Sequence, residues 1–283
     1  MLRWILAPFR LVVRVVRRFN AERCGQTAAA LSFATLLGLV PMIAVAAAII
    51  SSLPFASSLG AGLEKFLLAN LLPDKAGVVV AKYVGQFALR AERVTLVGGL
   101  LLALTALFQM LTIERAFNEI WKIKVKRPWV RRVAMHLAAL LVGPLVFGGS
   151  LAAITFLASV SFGLLNEPVW TNMLLLRVLP IVFVSTLFAV VYWAVPNRPI
   201  RVFHAIFGGV LAALGFALLQ LLFSMFIAKL PTYTVVYGTF SAMPIFLVWL
   251  YASWGIILVG ALVTAELPGI LEHLSKQRAR SRG

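Results

Sequence analysis

Residues 202–227 read VFHAIFGGVLAALGFALLQLLFSMFI, a stretch without a single Lys, Arg, Asp or Glu. A helix needs roughly 20 predominantly apolar residues to cross the hydrocarbon core of a bilayer, and this run exceeds that length. Five more long apolar runs occur along the chain. The six runs are 28–52, 94–113, 134–165, 174–195, 202–227 and 240–265. The sequence therefore predicts an all-α, polytopic membrane helical bundle with six transmembrane helices.

The composition supports lipid as the solvent for most of this chain. Hydrophobic residues make up 62% of the 283 residues and charged residues 12%, with a mean hydropathy of +0.99. Soluble domains are roughly 45–50% apolar and about 25% charged. A soluble fold of this length would lack the polar side chains to cover its surface. No linker or repeat divides the sequence, so we expect residues 1–283 to form a single membrane domain.

The distribution of Lys and Arg along the sequence predicts how the chain is oriented in the membrane. The formal net charge of +17 would by itself be typical of a nucleic-acid-binding protein. However, 19 of the 26 Lys and Arg residues lie in segments 1–27, 114–133, 196–201 and 266–283, and six lie in the alternate segments. Cytoplasmic loops of membrane proteins are enriched in basic residues. We therefore expect cytoplasmic N- and C-termini, with 266–283 as a basic tail, and no nucleic-acid partner.

Two segments outside the runs have the pattern of amphipathic surface helices. In 1–27, four arginines share one helical face, and apolar residues fill the remainder, although Pro8 interrupts the first turn. These arginines are Arg3, Arg10, Arg14 and Arg17. This pattern predicts a cytoplasmic helix on the anionic inner leaflet, with ordinary flanking charge as the alternative. In 53–93, two sets of apolar residues at helical spacing predict amphipathic helices on the outer side.

Small residues at every fourth position predict close helix packing on two of the runs. The pattern includes Gly38 on the first run, and Gly209 and Ala213 on the fifth. Such faces let two helix backbones approach closely in a membrane. Packing within the chain is the main interpretation, and homo-oligomerisation is the alternative.

Polar side chains in or beside the runs are the candidate functional residues, because they are costly in a membrane. Arg177, in the fourth run, either snorkels to the outer headgroups or holds an anionic group in a cavity. Glu114 and Glu266 lie at the inner ends of the second and sixth runs. They either pair with nearby arginines, or bind a cation or proton and gate a pathway. Gln109, Asn118 and Gln220 are expected to form interhelical hydrogen bonds.

Prolines indicate breaks in several runs. Pro41, Pro144 and Pro244 lie within or near apolar runs, and each frees a backbone carbonyl. Such breaks occur at hinges and ion sites of transporters, although kinks without a functional role are commoner. We therefore name these prolines as candidate hinges.

The inventory of reactive residues argues against an enzyme. The three histidines lack metal-ligand spacing, and Asp74 is the only aspartate, so no two-metal nuclease centre is indicated. The sequence contains no phosphate-binding loop of the Walker type. The single cysteine, Cys24, has no evident base partner. We expect no catalytic residues, no metal and no cofactor.

Three blocks of sequence resemble the YihY/BrkB family. They are ALSFATLLGLVP at 30–41, AFNEIW at 116–121, and a third block with Tyr233, Tyr237-Gly238, Pro244, Trp249-Leu250-Tyr251, Gly260-Ala261 and Glu266. One departure is Phe33, where many members have Tyr. The resemblance, closest to the proteobacterial YihY-like branch, implies a bacterial inner-membrane protein with six spans. Members have carried the label ribonuclease BN, which the residue inventory disfavours, and others have been linked to envelope lipid export.

The sequence therefore leaves several functional hypotheses open. The leading one is transport or handling of an amphipathic, anionic envelope lipid without ATP hydrolysis. In this hypothesis, Arg177 holds the lipid headgroup, and Glu114 and Glu266 close the inner side of the bundle. The second is a cation- or proton-coupled transporter that uses the two glutamates. The third is a scaffold without transport activity that docks an envelope protein partner through 53–93. We expect membrane lipids as partners of the chain.

Overall fold

The computed structural model describes residues 2–51, 96–124, 128–130, 132–134, 169–228 and 242–280, and these are helical apart from short turns and the non-helical segment 195–201. The long helices are α1 (Leu2–Ala21), α2 (Cys24–Ser51), α3 (Leu96–Ile120), α4 (Val169–Ala194), α5 (Val202–Ala228) and α6 (Ala242–Arg280). The all-α prediction is confirmed for these ranges.

Five of the six predicted apolar runs coincide with helices, in the order α2, α3, α4, α5 and α6. Among the described residues, Val202–Phe226 and Met243–Glu272 are long and apolar enough to cross a membrane, by length and composition. Residues 135–165 of the third run and the segment 53–93 lie outside the described residues, as does Pro144.

Helix α6 is the centre of the bundle, since it contacts each of the other five helices. The most extensive contacts are those of α4 with α5, α5 with α6, α6 with α2, and α2 with α3. The helices therefore follow one another in space as α3, α2, α6, α5 and α4, and α1 packs across α6 and α2. An apolar and aromatic cluster fills the interior, including Phe117, Tyr192, Phe216, Leu258 and Leu262.

Small residues lie where helices approach most closely. A Cβ atom built at Gly209 on α5 would lie 2.5 Å from the Ser185 carbonyl oxygen and 2.7 Å from the Ala189 nitrogen of α4. Neighbouring Gly208 faces Gly260 and Thr264 of α6, so α5 presents one glycine to each partner helix. Ala213, one turn further along, is buried. These contacts are within the chain.

The helix ends differ from the expectation at two places. α1 continues through Pro8, where the sequence indicated an interruption, because a proline removes a single backbone hydrogen bond and the remaining bonds of α1 hold the helix. α6 continues past the end of the sixth run, through Pro268 to Arg280. Most of the expected basic tail is therefore an extension of α6. Between α1 and α2 the chain turns within Glu22-Arg23, where Arg23 has a φ of 50°.

Candidate functional site

Glu266 joins α6 to the N-terminal helix. Its Oε1 accepts a hydrogen bond from Nη1 of Arg18 at 2.7 Å, and its Oε2 lies 3.9 Å from Nη1 of Arg14. Arg14 and Arg18 are one turn apart on α1, so both side chains reach the same carboxylate. This ion pair lies between α1 and α6, where the two helices pack together.

The Arg18 guanidinium connects three helices through one planar group. Its Nε and Nη2 donate to Oε1 of Glu22 at 2.8 and 2.6 Å, and Nη2 also donates to the Ile120 carbonyl at the end of α3, at 2.7 Å. Lys122 Nζ lies 3.7 Å from the same Glu22 oxygen. Burial by itself lowers the pKa of Arg18, but hydrogen bonds and attraction from Glu22 and Glu266 outweigh it. The pKa therefore lies above the usual value, and the guanidinium stays charged.

Glu114 forms a second ion pair, in the interior of α3. Its side chain accepts a hydrogen bond from Nε of Arg132 at 2.7 Å and one from Nδ2 of Asn118 at 3.3 Å. Asn118 Oδ1 in turn accepts from the backbone N–H of Asn197, which follows α4, at 2.9 Å. Glu114 is only 1% exposed, and the partly buried Arg132 places an opposite charge beside it. These hydrogen bonds connect the C-terminal end of α3 to the segment that follows α4.

Cys24 lies directly beside the ion pairs of α1, at the start of α2, and is buried. Burial, reinforced by the negative charge of Glu22, raises the pKa of the Cys24 thiol to about 11. A thiol with this pKa is protonated at neutral pH. The structure therefore gives Cys24 a packing role.

A polar contact further along the bundle links α2, α3 and α6. The side-chain amide of Gln109 lies within hydrogen-bonding distance of Thr35 Oγ1, at 3.0 Å. The indole N–H of Trp254 donates a hydrogen bond to the same oxygen at 2.9 Å. Gly38 lies one turn from Thr35, and a Cβ there would come within 3.2 Å of Gln109. The sequence indicated an interhelical role for Gln109. It gave no signal for Thr35 or Trp254, because a Thr or Trp in an apolar run is usually read as packing.

An apolar cleft of about 330 Å³ opens between α3 and α4, with α6 as its floor. The described residues that line it are Met110, Ile113, Phe117, Leu187, Phe188, Val191, Ala194, Val195, Trp254 and Ile257. The indole N–H of Trp254 is engaged by Thr35, so the described lining offers no open polar group. Glu114 lies beside the cleft-lining residues Ile113 and Phe117 on α3, next to the lined face of that helix. Dry apolar cavities of about 150 Å³ already bind small apolar molecules.

The chain matches a known family over almost its whole length. The family described as "Virulence factor BrkB" matches residues 15–282. The chain belongs to the BrkB family. Its relatives include UPF0761 membrane proteins of Aromatoleum aromaticum, 47% identical over 262 residues, and of Azoarcus sp., 47% identical over 269 residues. A third, from Nitrosospira multiformis, is 39% identical over 262 residues.

These alignments cover 93%, 95% and 93% of this chain, but only 64%, 66% and 62% of the respective relatives. The chain thus spans just under two thirds of the length of the curated relatives it matches. No solved protein structure matches this BrkB-family chain. The resemblance that the sequence blocks indicated is confirmed, and with it the assignment as a membrane protein.

The structure brings some of the candidate residues together and leaves others apart. Glu266 and Glu114 lie in two separate ion-pair groups, held to different helices. Arg177 belongs to α4, but its side chain is outside the described part of the chain, so its role stays a prediction. Pro41 lies within α2 and Pro244 within α6, and their hinge roles stay predictions as well.

The sequence missed the residue that organises this region. Arg18 was one basic residue among many in the N-terminal segment, and it was not in the set of arginines assigned to one face. The available signal was the acidic Glu22 one turn later, since an i, i+4 pair of opposite charge marks a helix face. The contact with Glu266 depends on the tertiary fold.

Proposed function

We propose that this BrkB-family chain is a six-span inner-membrane protein with cytoplasmic termini that handles an amphipathic, anionic envelope lipid without hydrolysing ATP. The observation that carries the proposal is the apolar cleft between α3, α4 and α6. The apolar lining suits an acyl chain and disfavours a hydrated ion.

The surroundings of the cleft support an amphipathic ligand. In a bilayer, an acyl chain gains little from exchanging lipid for an apolar protein surface, so selection must come from the headgroup. The Arg132–Glu114 pair borders the cleft-lining residues Ile113 and Phe117, and exposed Arg198 follows Val195 by three residues. A headgroup at this end of the cleft would meet basic side chains, which favours an anionic lipid.

The same geometry gives little support to a cation- or proton-coupled transporter. Glu114 and Glu266 each accept a hydrogen bond from an arginine at 2.7 Å. A carboxylate that is already compensated by a fixed cation has less attraction for a second one. In the proposed function, both glutamates stabilise the inner side of the bundle and do not carry the substrate.

A proteoliposome experiment with a cleft-blocking variant tests the proposal. Purified protein is reconstituted with fluorescent anionic and zwitterionic lipids, and the rate of transfer between leaflets is measured. Ala194→Phe would place an aromatic ring in the cleft, whereas Ala217→Phe would place the same ring on the exposed surface of α5. The ring would occupy space that an acyl chain needs, and a loss of about 1.4 kcal/mol in lipid binding is a tenfold decrease, so we expect Ala194→Phe to slow transfer about tenfold or more. Ala217→Phe should leave the rate unchanged.

Two results would contradict the proposal. The first requires two observations together. The rate of transfer with wild-type protein equals the rate in protein-free vesicles for every lipid, and a lipid with a photoreactive acyl chain does not label the cleft. The other is equal loss of transfer in Ala194→Phe and Ala217→Phe. Cation flux that disappears in Glu114→Gln and Glu266→Gln variants, with folding retained, would favour the coupled transporter instead.

A further inference from the structure

Helix α1 presents three distinct faces. One face packs on the bundle through Leu11, Val15 and Phe19, and Val15 is only 5% exposed. Arg18 lies at the edge of this face and reaches Glu266 and Glu22. At 100° per residue, these side chains cover about one third of the helix circumference. The other two thirds of α1 face away from α2 and α6.

The second face is an exposed apolar stripe. Phe9 is 65% exposed, Val12 58% and Val16 53%, and they recur at spacings of three and four along one side of the helix. Val13 extends the same stripe. Among the described residues, nothing covers these side chains. A stripe of this kind in contact with water is unfavourable, so it indicates a surface with an apolar partner.

The third face is basic and borders the apolar stripe. Arg10, Arg14 and Arg17 lie on it at spacings of four and three, and α1 contains no acidic residue at all. Within the described part of the chain, Arg10 and Arg17 make no ion pair, whereas Arg14 approaches Glu266. The arginines of α1 therefore divide into those that hold the helix to the bundle and those that face outward.

The ion pair with Glu266 holds α1 near one end of the apolar stretch of α6. Glu266 lies six residues before the end of Met243–Glu272, the stretch of α6 that is apolar enough to span a bilayer. At 1.5 Å per residue, this places the attachment point about 9 Å from the end of that stretch. A helix held there lies at the boundary between acyl chains and headgroups, where an apolar stripe and a basic face are both satisfied.

We propose that the outward faces of α1 form a binding site for anionic phospholipids of the adjacent leaflet. Phe9, Val12 and Val16 enter the acyl region, and Arg10 and Arg17 contact the phosphates. The charge complementarity selects this occupant, because a protein partner would need an acidic surface beside an apolar one. This site goes beyond the proposed function, since it recruits resident lipid and holds whether or not the cleft moves a substrate.

Spin labels on the full chain in nanodiscs test the placement of the apolar stripe. Cys24→Ser removes the native thiol, and nitroxides are attached at Val12→Cys or Val16→Cys. Gln26→Cys, on the exposed start of α2, serves as the comparison for a position outside the stripe. We expect dissolved oxygen to enhance the spin relaxation of nitroxides at 12 and 16, and a water-soluble nickel chelate to have little effect on it. Access to the chelate would overturn the proposal, and so would protection from both reagents, which would indicate contact between protein copies.

A lipid-binding measurement tests the basic face. The protein that retains Cys24 is placed in phosphatidylcholine nanodiscs that contain an increasing fraction of phosphatidylglycerol. Crosslinking of a photoreactive phosphatidylglycerol to α1 is then measured. Each arginine near an anionic surface contributes about a fivefold gain, so Arg10→Gln/Arg17→Gln should lower crosslinking about tenfold or more. Arg10→Lys/Arg17→Lys should restore it. Arg115→Gln/Lys124→Gln, which removes two exposed basic charges outside α1, is the matched control and should leave crosslinking to α1 unchanged.

The outcome is informative even if a variant is perturbed. Protection of Cys24 from alkylation in the Arg10→Gln/Arg17→Gln protein shows that α1 is still packed against the bundle. With that protection intact, unchanged crosslinking in the double variant, or equal crosslinking of phosphatidylcholine and phosphatidylglycerol analogues, would overturn the site. Neither result depends on lipid transfer, so this site and the proposed function fail separately.

Discussion

At the scale of single residues, adjacent arginines on α1 have opposite environments. Arg18 is engaged by Glu22, Glu266 and the Ile120 carbonyl, whereas Arg17 is exposed. Removing one partner of a largely buried ion pair leaves the other charge uncompensated, which costs about 3–5 kcal/mol for full burial. Arg18 keeps some solvent contact, so we expect Arg18→Gln to lower the free energy of unfolding by about 2–3 kcal/mol. Denaturant or thermal unfolding in detergent measures this loss.

The matched control is Arg17→Gln, which removes the same charge one residue away. Surface substitutions usually change stability by less than about 0.5 kcal/mol, so this variant should unfold like wild type. Equal destabilisation of the two variants would show that net charge, and not the contacts of Arg18, holds α1 in place.

Cys24 provides a second test at this scale, because its pKa is raised to about 11. The thiolate is the reactive form, and a raised pKa keeps the thiol protonated until the pH approaches that value. We expect negligible alkylation of the folded protein by iodoacetamide at neutral pH, with a rise only in strongly alkaline solution. Denaturation in SDS should make the thiol reactive at once. Gln26→Cys in a Cys24→Ser chain is the exposed control, and similar rates for the two thiols in folded protein would contradict the buried environment.

At the scale of elements, alanine substitutions at two glycines distinguish the effect of helix propensity on stability from the effect of helix packing. A Cβ at Gly209 would lie 2.5 Å from the Ser185 carbonyl oxygen, whereas a Cβ at Gly255 would meet no atom of the described residues within 4 Å. Alanine is favoured over glycine in a helix by about 1 kcal/mol. We therefore expect Gly255→Ala to be neutral or stabilising. Gly209→Ala should cost about 1–3 kcal/mol, because α4 and α5 must separate. Unfolding in detergent compares the two, and equal effects would contradict the close approach.

The sequence predicted the helices far better than the contacts between them. Apolar runs mark where helices lie, because length and hydropathy are local properties, and the run at 202–227 coincides with α5. The small-residue spacing on that run also indicated a packing face at Gly209. By contrast, the pairing of Arg18 with Glu266 joins residues 248 positions apart. Nothing in either local sequence distinguishes these partners from the other basic and acidic residues near the ends of the runs.

At the scale of the whole molecule, the distribution of Lys and Arg makes a topology prediction that two positions can test. Lys124 lies in a segment expected in the cytoplasm, and Asn166 in the next segment along the chain, on the far side of the third run. One span between them places them on opposite sides of the membrane. Single cysteines at these positions, in a Cys24→Ser chain in intact cells, are probed with a thiol reagent that does not cross the inner membrane. We expect labelling at 166 and protection at 124.

The same experiment decides whether the inner ion pairs lie where the proposals need them. Arg132 pairs with Glu114. In the sequence it lies between the two tested positions, before the third apolar run, so it is expected on the same side of the membrane as Lys124. If 124 is protected and 166 is labelled, then Arg132, Arg18 and Glu266 share the cytoplasmic side, and α1 meets the leaflet in which anionic lipids produce the negative surface potential. Labelling of both positions, or of neither, would remove the third span from the topology. The cleft between α3 and α4 would then need a different orientation relative to the bilayer.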